Sequence, residues 1–300
     1  MVYIMLHFTT NFTYIAKPNQ TKPKAIMKFI LGMGSKKNLK HFCDLVENVK
    51  NISEFLTMDF SDDGLYSQGM SGDHTSIYEF MLHKDWFEFY EVNEEDVKRI
   101  SVSTQFLAKV LNTRQKHQFM VFEYSGQATK LNITMKNKST DLKKDEFPKE
   151  FEVSLVDVDS QTLEIPETDY SVEFTIPSKI LKQIDDELLL FDDVMRVFCD
   201  EENIRFGAKG ESGNININLF SDKIEYVDEY AIEEDFELDQ HYSNRQFSTF
   251  CKFMKLSENV MLSFNDDFPL KYEHVFDDDR IKVVFYLAPR VKEDETDDEA

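Results

Sequence analysis

The sequence predicts an α+β protein made of two similar domains, each with two helix-plus-antiparallel-sheet units. Three observations support this class: a helix-and-strand pattern that recurs four times, a long connector between the second and third units, and a large supply of apolar residues. Of 300 residues, 41% are hydrophobic and 13% aromatic, which suits one large domain or two of ordinary size. The repeat favours two domains, in each of which a pair of helices covers one face of a sheet.

The first two units share one order of elements. Apolar residues spaced as on one face of a helix come first, and alternating stretches typical of strands joined by a turn follow. The first unit has a short strand from Met27, the helical face Leu39, Phe42, Cys43 and Val46, and strands over 55–60 and 66–77 around a turn at 61–64. The second unit has the helical face Leu107, Val110 and Leu111, and strands over 119–124 and 128–135 around a turn at 125–126.

The third and fourth units repeat this order after the connector. The third has the helical face Ile180, Leu181, Ile184 and Leu188, and strands over 194–199 and 204–208 around a turn at 201–203. The fourth has the helical face Phe247, Phe250, Cys251 and Met254, a strand over 260–264, a turn at 265–267 and a further strand over 281–287. Four equivalent units in one chain indicate internal duplication.

The connector comprises residues 151–171. Its first residues, 151–155, alternate apolar and polar side chains, which predicts a half-buried strand. Acidic residues keep the remainder in water, and Pro166 favours an extended backbone before it. Leu163 and Ile165 then form an apolar pair without a periodic partner, so the segment is either an ordinary solvated linker or a surface for a partner.

Parts of the chain resemble the proliferating cell nuclear antigen family, the eukaryotic-type sliding clamps. In the connector, the resemblance is carried by Asp157, Asp159, Leu163, Ile165, Pro166, Glu167 and Tyr170. Two later blocks are also similar to that family: 206–219, with the sequence FGAKGESGNININL, and 286–290, with YLAPR before an acidic tail. The similarity extends in order from about Met27 to Glu295.

The resemblance implies a ring-forming DNA clamp fold, with strands in a continuous outer layer, helices lining a hole and three subunits per ring. Strands at 151–155 and 214–219 are candidate free sheet edges, which can pair with another chain. The expected subunit-interface residues are Phe151, Val153, Asn216 and Ile217. The expected organisation is an N-terminal extension over 1–26, clamp domain 1 over 27–150, the interdomain connector over 151–171, clamp domain 2 over 172–292 and an acidic tail over 293–300.

Basic residues occupy equivalent places in the four predicted helices. The chain has 57 acidic against 34 basic residues and a formal net charge of -23, so most of its surface should repel nucleic acid. Four lysines nevertheless recur about 70 residues apart, in the same helical phase and away from the apolar face: Lys40, Lys109, Lys182 and Lys252. They are either solvated helix surface or, as the resemblance implies, the lining of the hole, where side chains neutralise phosphates without reading bases. The predicted DNA-facing residues are Lys40, Lys109, Arg114, Lys116, Lys182, Arg245 and Lys252, with Asp185 and Asp186 weakening the basic face of the third helix.

The resemblance also implies a partner-peptide pocket beside the connector. Such a pocket would accept a short extended peptide with apolar and aromatic anchors and some main-chain pairing. Taken singly, each residue fits a core position better than a site, but the exposed connector pair and the tail motif together favour a groove. The predicted pocket residues are Met70, Leu163, Ile165, Pro269, Tyr286, Ala288 and Pro289.

The sequence gives little support for an enzyme, a metalloprotein or a membrane protein. It has no glycine-rich phosphate loop, no HExxH motif and no nucleophile motif. Its three cysteines lack CxxC spacing and its seven histidines are scattered, so we predict reduced cysteines, no metal site and no cofactor. The apolar start of the chain is too short to span a bilayer and has no basic region before it, as a signal peptide would.

These observations lead to the hypothesis of a non-enzymatic sliding clamp that encircles duplex DNA and acts as a processivity factor. The expected partners are double-stranded DNA without sequence preference, a replicative DNA polymerase and other replication or repair proteins with a clamp-binding peptide, a clamp loader, and further copies of the chain in a homotrimer. The expected location is the nucleus for a cellular protein, or the site of viral DNA replication for a viral one. The alternative is a clamp-like checkpoint or interaction-hub subunit that does not form a homotrimeric ring.

Overall fold

The computed structural model describes residues 27–32, 34–93, 99–125, 129–137, 147–158, 162–219, 226–276 and 278–290. The predicted N-terminal extension over 1–26 and the acidic tail over 293–300 lie outside these residues. Within them the chain forms four α-helices and eighteen β-strands. The predicted α+β class is therefore confirmed.

The described part of each half contains two helices and nine strands. The first half has β1 (Met27–Leu31), α1 (Lys36–Val49), β2 (Phe55–Ser61), β3 (Gly64–Met70), β4 (Ser76–His83), β5 (Phe89–Val92), β6 (Arg99–Ser103), α2 (Thr104–Asn112), β7 (Gln118–Tyr124), β8 (Lys130–Asn137) and β9 (Lys149–Ser154). The second half has β10 (Val172–Pro177), α3 (Ser178–Leu188), β11 (Val194–Cys199), β12 (Ile204–Gly210), β13 (Gly213–Asn218), β14 (Asp228–Ile232), β15 (Leu238–Ser243), α4 (Asn244–Cys251), β16 (Asn259–Phe264), β17 (Leu270–Val275) and β18 (Ile281–Leu287).

The helices begin at caps and pack in pairs. The side chains of Ser35, Ser103 and Ser243 accept a hydrogen bond from the backbone N–H three residues later, at the starts of α1, α2 and α4, and each such cap contributes about 1 kcal/mol. α3 begins after Pro177 without a side-chain cap. The helix α1 packs against α2, and α3 against α4, as the two-domain prediction requires.

The strands form three antiparallel sheets, with the orders β5-β1-β7-β8-β9, β14-β10-β16-β17-β18-β4-β3-β2-β6 and β13-β12-β11-β15. The nine-stranded sheet crosses from one half to the other because β18 pairs with β4, with Val283 opposite Phe80. Its inner face carries buried side chains such as Tyr78 and Phe285, and we call the opposite face the outer face. β9 and β13 are edge strands, which is where the two predicted sheet edges lie.

The structure corrects the predicted strands, and it adds β5, β6, β10, β14 and β15, which the sequence interpretation missed. The stretch 66–77 was expected to be one strand, but it divides into β3 and β4 around a loop at 71–75. Ser71 closes this loop, since its Oγ donates to Asp73 Oδ1 at 2.6 Å and accepts from the backbone N–H of Ser76 at 3.0 Å, as short polar side chains do in turns. The sequence interpretation also missed β17, although Leu270, Tyr272 and His274 alternate within it.

The fourth helix is shorter than predicted. α4 ends at Cys251, so Lys252 is its C-cap residue and Met254 lies in the turn beyond. Phe253, which a continuing helix would place on a different face, is fully buried against Phe285 instead. Tertiary packing of this aromatic side chain therefore outweighs the helical periodicity that includes Met254.

A buried histidine pair lies where the two halves meet. His274 on β17 is fully buried, and its Nδ1 lies 2.7 Å from the Ser257 hydroxyl. His41 on α1 is also buried, and both imidazole rings contact Phe276. Burial lowers the pKa of His274 to about 3, and the nearby His41 adds to this effect. The His274 ring is therefore packed as a neutral group, and burial also lowers the pKa of His41.

This packing predicts acid sensitivity. Because the folded-state pKa of His274 is below the ordinary value of about 6.5, the unfolded chain binds a proton below pH 6.5 that the folded chain does not. His274 therefore contributes stability above pH 6.5 that is lost as the pH falls towards 3. In denaturant titrations between pH 6 and 4, we expect the free energy of unfolding to fall more steeply in the parent than in His274→Gln. The expected difference in slope is about 1 kcal/mol per pH unit. Parallel curves for the two proteins would contradict this assignment.

Candidate functional site

The connector is tied to both halves along its described length. The backbone N–H of Val156 donates to Ser101 O at 2.8 Å. Leu163 exchanges two hydrogen bonds with the Gln68 side chain on β3: its N–H donates to Oε1 at 2.8 Å and its carbonyl accepts from Nε2 at 3.0 Å. Near the other end, Asn265 Nδ2 donates to the carbonyl of Asp169 at 3.2 Å. The described residues of the connector, 151–158 and 162–171, are thus held against the sheets rather than forming a free linker.

Predicted pocket residues lie in one row on the outer face of the nine-stranded sheet. Met70 on β3 is opposite Ile77 on β4, which is opposite Tyr286 on β18. Side chains opposite each other in antiparallel strands point to the same face, and two strand spacings correspond to ~10 Å. Leu163 remains 40% exposed above this region, and Ile165 is half-buried.

The remaining pocket residues lie at one end of β17 and β18. Pro269 directly precedes Leu270, which pairs with Leu287, and Ala288 and Pro289 directly follow Leu287. The backbone N–H of Ala288 donates to Thr75 O at 2.9 Å, which attaches this end to the 71–75 loop. The structure therefore brings the predicted pocket residues to one region beside the connector, which we call the groove.

The sequence interpretation missed a carboxylate that lies beneath the connector and is shared by two tyrosines. Glu79 on β4 accepts from the hydroxyls of Tyr66 at 2.9 Å and Tyr286 at 3.2 Å. Burial raises the pKa of both tyrosines, and the Glu79 charge adds to the rise, so both hydroxyls remain donors. The alternation of β4 places Glu79 on the outer face, but nothing in the sequence indicates that it receives two tyrosines.

The 71–75 loop also contacts the helical layer. Asp73 accepts from Gln246 Nε2, at the start of α4, at 2.6 Å. Burial raises the pKa of Asp73. The hydrogen bonds from Ser71, Thr75 and Gln246 outweigh this effect and lower the pKa to about 2. His74, which the sequence interpretation also missed, lies in this loop with its Nδ1 2.9 Å from Met70 Sδ. The loop is therefore held between the groove and α4.

The predicted DNA-facing residues divide into two groups. Lys40, Lys109, Lys116 and Lys252 are exposed and form no salt bridge with another described residue. Arg114 is half-buried and close to Asp44 on α1, as are Lys40 and Lys255. Bases from α1, from the turn after α2 and from the turn after α4 thus converge around one acidic residue.

The second group is neutralised inside its own half. Lys182 on α3 contacts Asp186 and lies 3.2 Å from Asp185 Oδ2, and Asp185 is fully buried. Arg245 Nη2 lies 2.5 Å from Asp193 Oδ2. The predicted weakening of the basic face on the third helix thus has a structural cause, since Lys182 is partly covered by carboxylates instead of projecting freely.

The two edge strands differ in which side chains they expose. Phe151 on β9 and Ile217 on β13 are half-buried at the rim of their sheets, and Asn216 is exposed. Val153 is buried in the core of its own half, because it alternates with outward-facing neighbours, so only its backbone is accessible at the edge. Exposed apolar side chains that were not predicted lie next to both edges: Phe106 on α2, which packs beside β9, and Phe191, which lies against the hairpin of β12 and β13.

The cysteines lie in the core or at its margin. Cys43, Cys199 and Cys251 are free, and burial raises the pKa of the Cys43 thiol to about 11 and that of Cys199 to about 12. In the part of the chain that the structure describes, no group of three or more His, Cys, Asp or Glu side chains is placed to hold a metal ion. No helix there is long and apolar enough to cross a membrane.

Two helix pairs behind a sheet layer that carries a connector and a groove are the architecture of a DNA sliding clamp. The model of the proliferating cell nuclear antigen N-terminal domain matches residues 36–162, and that of the C-terminal domain matches residues 164–290. The chain belongs to the proliferating cell nuclear antigen family, and its general role is that of a DNA polymerase clamp in DNA replication.

Individual relatives are similar at moderate identity. The chain is 27% identical to proliferating cell nuclear antigen 2 of Drosophila melanogaster over 249 residues, which cover 83% of this chain and 93% of the relative. It is 25% identical to proliferating cell nuclear antigen of Chaetomium thermophilum, covering 84% and 95%. It is also 25% identical to the probable DNA polymerase sliding clamp 2 of Paramecium bursaria Chlorella virus 1, covering 86% and 88%.

Proposed function

We propose that three copies of this chain form a closed ring that encircles duplex DNA and tethers a DNA polymerase. The observation that carries this proposal is the separation of charge. Lys40, Lys109 and Lys252 are exposed at equivalent places on three helices or their ends, while the chain as a whole has a net charge of -23. A duplex inside such a ring is held by topology and by phosphate contacts that carry no sequence information.

The groove beside the connector would bind the partners. Extended peptides commonly combine main-chain pairing with a few side-chain anchors, and the row from Met70 to Tyr286 beside an exposed Leu163 offers such anchors. The proposed occupants are clamp-binding peptides of a replicative DNA polymerase, of other replication or repair proteins and of a clamp loader. The protein would act without catalysis, in the nucleus of a cell or at a site of viral DNA replication.

The basic helices can be tested against a matched change on the sheets. Lys40, Lys109, Lys182 and Lys252 would be changed together to alanine. The control removes four exposed lysines on the strands: Lys130 and Lys136 on β8, Lys209 on β12 and Lys282 on β18. Both variants lose the same charge, so overall repulsion of DNA changes equally.

We expect DNA binding and processive synthesis to fall much further in the helix variant than in the control. Each lost phosphate contact should reduce the slope of log affinity against log salt by about 0.9, measured on circular templates across a salt series. Lys182→Ala alone should be close to the parent, because its ammonium group is already paired with Asp185 and Asp186. Equal losses in the helix variant and the control would contradict a DNA-facing role for the helices.

A further inference from the structure

The contact between the connector and the sheet continues as a connected set of hydrogen bonds. Gln68 binds the backbone of Leu163 with its carbonyl oxygen and with one hydrogen of its amide group. Its Nε2 also donates to the Tyr66 hydroxyl at 3.1 Å. The Tyr66 hydroxyl then donates to Glu79, which accepts from Tyr286 with its other oxygen.

Each hydrogen bond in this set has a defined donor and acceptor. The N–H of Leu163 requires an acceptor, which fixes the orientation of the Gln68 amide and leaves its NH₂ group to serve Leu163 and Tyr66. Tyr66 therefore accepts from Gln68 and gives its own hydrogen to Glu79. A carboxylate can accept from two hydroxyls with separate oxygens, whereas a primary amide offers one acceptor oxygen and two hydrogens. Glutamate is thus the side chain that satisfies both tyrosines at once.

The set connects the two sides of the groove. Gln68 is opposite Glu79 in the pairing of β3 with β4, and Glu79 is opposite Val284, two residues before Tyr286 on β18. Val284 is fully buried although alternation places it on the outer face, so the sheet is covered at this point. A neighbouring carboxylate in the same row, Glu273, is paired with Lys271 at 2.6 Å, and both tyrosine hydroxyls donate to Glu79 instead of to it.

We propose that Glu79 is a positioning residue that holds the connector at Leu163 and the ring of Tyr286 in fixed relation across the groove. Its effect on binding rests on the proposed function of that groove. A segment that is already ordered loses less conformational freedom when it binds. Loss of Glu79 should therefore loosen the connector first and weaken peptide binding as a result.

The first test measures amide hydrogen exchange at Leu163, which does not depend on any ligand. Tyr66→Phe breaks the link between Gln68 and Glu79 and leaves Glu79 and Tyr286 in place, while Glu79→Ala removes the shared acceptor. We expect exchange at Leu163 to rise by about 2- to 10-fold in both variants, as the loss of one hydrogen bond implies. The Val156 amide, which donates to Ser101, should exchange as in the parent, and Glu273→Gln should match the parent at both amides.

The second test measures the affinity for a synthetic peptide that carries the clamp-binding segment of a DNA polymerase. We expect about 2- to 10-fold weaker binding for Glu79→Ala, a smaller loss for Glu79→Gln, which keeps one acceptor oxygen, and no change for Glu273→Gln. Unchanged Leu163 exchange in both Tyr66→Phe and Glu79→Ala would overturn the proposal, and so would increased exchange with unchanged affinity. If the parent bound no such peptide, the groove function would fail, and the exchange result alone would decide whether Glu79 positions the connector.

Discussion

Replacing Ile217 with arginine is expected to reduce the solution mass of the protein from three chains to one. Ile217 is half-buried on β13, which among the described strands pairs only with β12 and forms the edge of its sheet. A neighbouring chain that pairs with this edge would remove the new guanidinium group from water without a partner. Leaving a buried charge unpaired typically costs ~3 to 5 kcal/mol. This cost weakens the affinity of each subunit contact at least about a hundredfold.

The opposite edge should give the same result and can reveal the direction of assembly. Phe151→Arg places a charge on β9, so it should also yield single chains. Each variant keeps the edge that the other has lost, so an equimolar mixture of the two should form a two-chain species if the contact is head-to-tail. No mixed species is expected if each edge pairs with a copy of itself.

The matched control is Val92→Arg, which adds the same charge to β5 at the other edge of the five-stranded sheet. It should leave the mass at three chains. Light scattering at micromolar concentration measures all these masses, and circular dichroism checks that each variant is folded. A parent protein with the mass of one chain would contradict the homotrimer and favour the clamp-like hub subunit that does not close a ring.

The second large effect is expected at the groove. Changing Leu163, Ile165 and Tyr286 together to alanine should reduce the affinity for a polymerase-derived peptide by at least about a hundredfold. Each apolar anchor in an interface hot spot typically contributes about 1 to 3 kcal/mol, and Tyr286→Ala also leaves Glu79 without one of its two donors. The ring should remain intact, because none of these side chains lies on β9 or β13.

Phe89→Ala provides the control for this variant. Phe89 is 41% exposed and Leu163 is 40% exposed, but Phe89 lies on β5, away from the connector. Calorimetry with the same peptide should show parent-like binding for Phe89→Ala. Parent-like binding by the triple variant would exclude this groove as the peptide site, whatever the state of the ring.

Local patterns in the sequence were sufficient to predict most of the fold. Apolar residues at i, i+3, i+4 and i+7 located α1, and alternation located β11 at its observed bounds, 194–199. These elements are predictable because each buries one face, and the spacing of the apolar residues reflects that face directly. The two free edges were also predicted, because β9 and β13 alternate without a following partner strand in the sequence.

Other features depended on contacts between residues that are distant in the chain. The end of α4 was misplaced because Phe253 packs on Phe285, more than thirty residues away in the numbering. The hydrogen bond from Gln246 to Asp73 likewise joins residues that are far apart in the chain. Periodicity reports the face on which a side chain lies but not which group it meets there.

The sequence by itself determined the family, the α+β units, the acidic surface with basic helices and the apolar pair of the connector. Only the tertiary structure decided that β4 and β18 join the halves in one sheet, and that Leu163, Gln68, Tyr66, Glu79 and Tyr286 form one hydrogen-bonded set. The physical reason is the range of the interactions. Burial of an apolar face leaves a local period in the sequence, whereas a hydrogen bond between distant strands requires a register that only the assembled sheet provides.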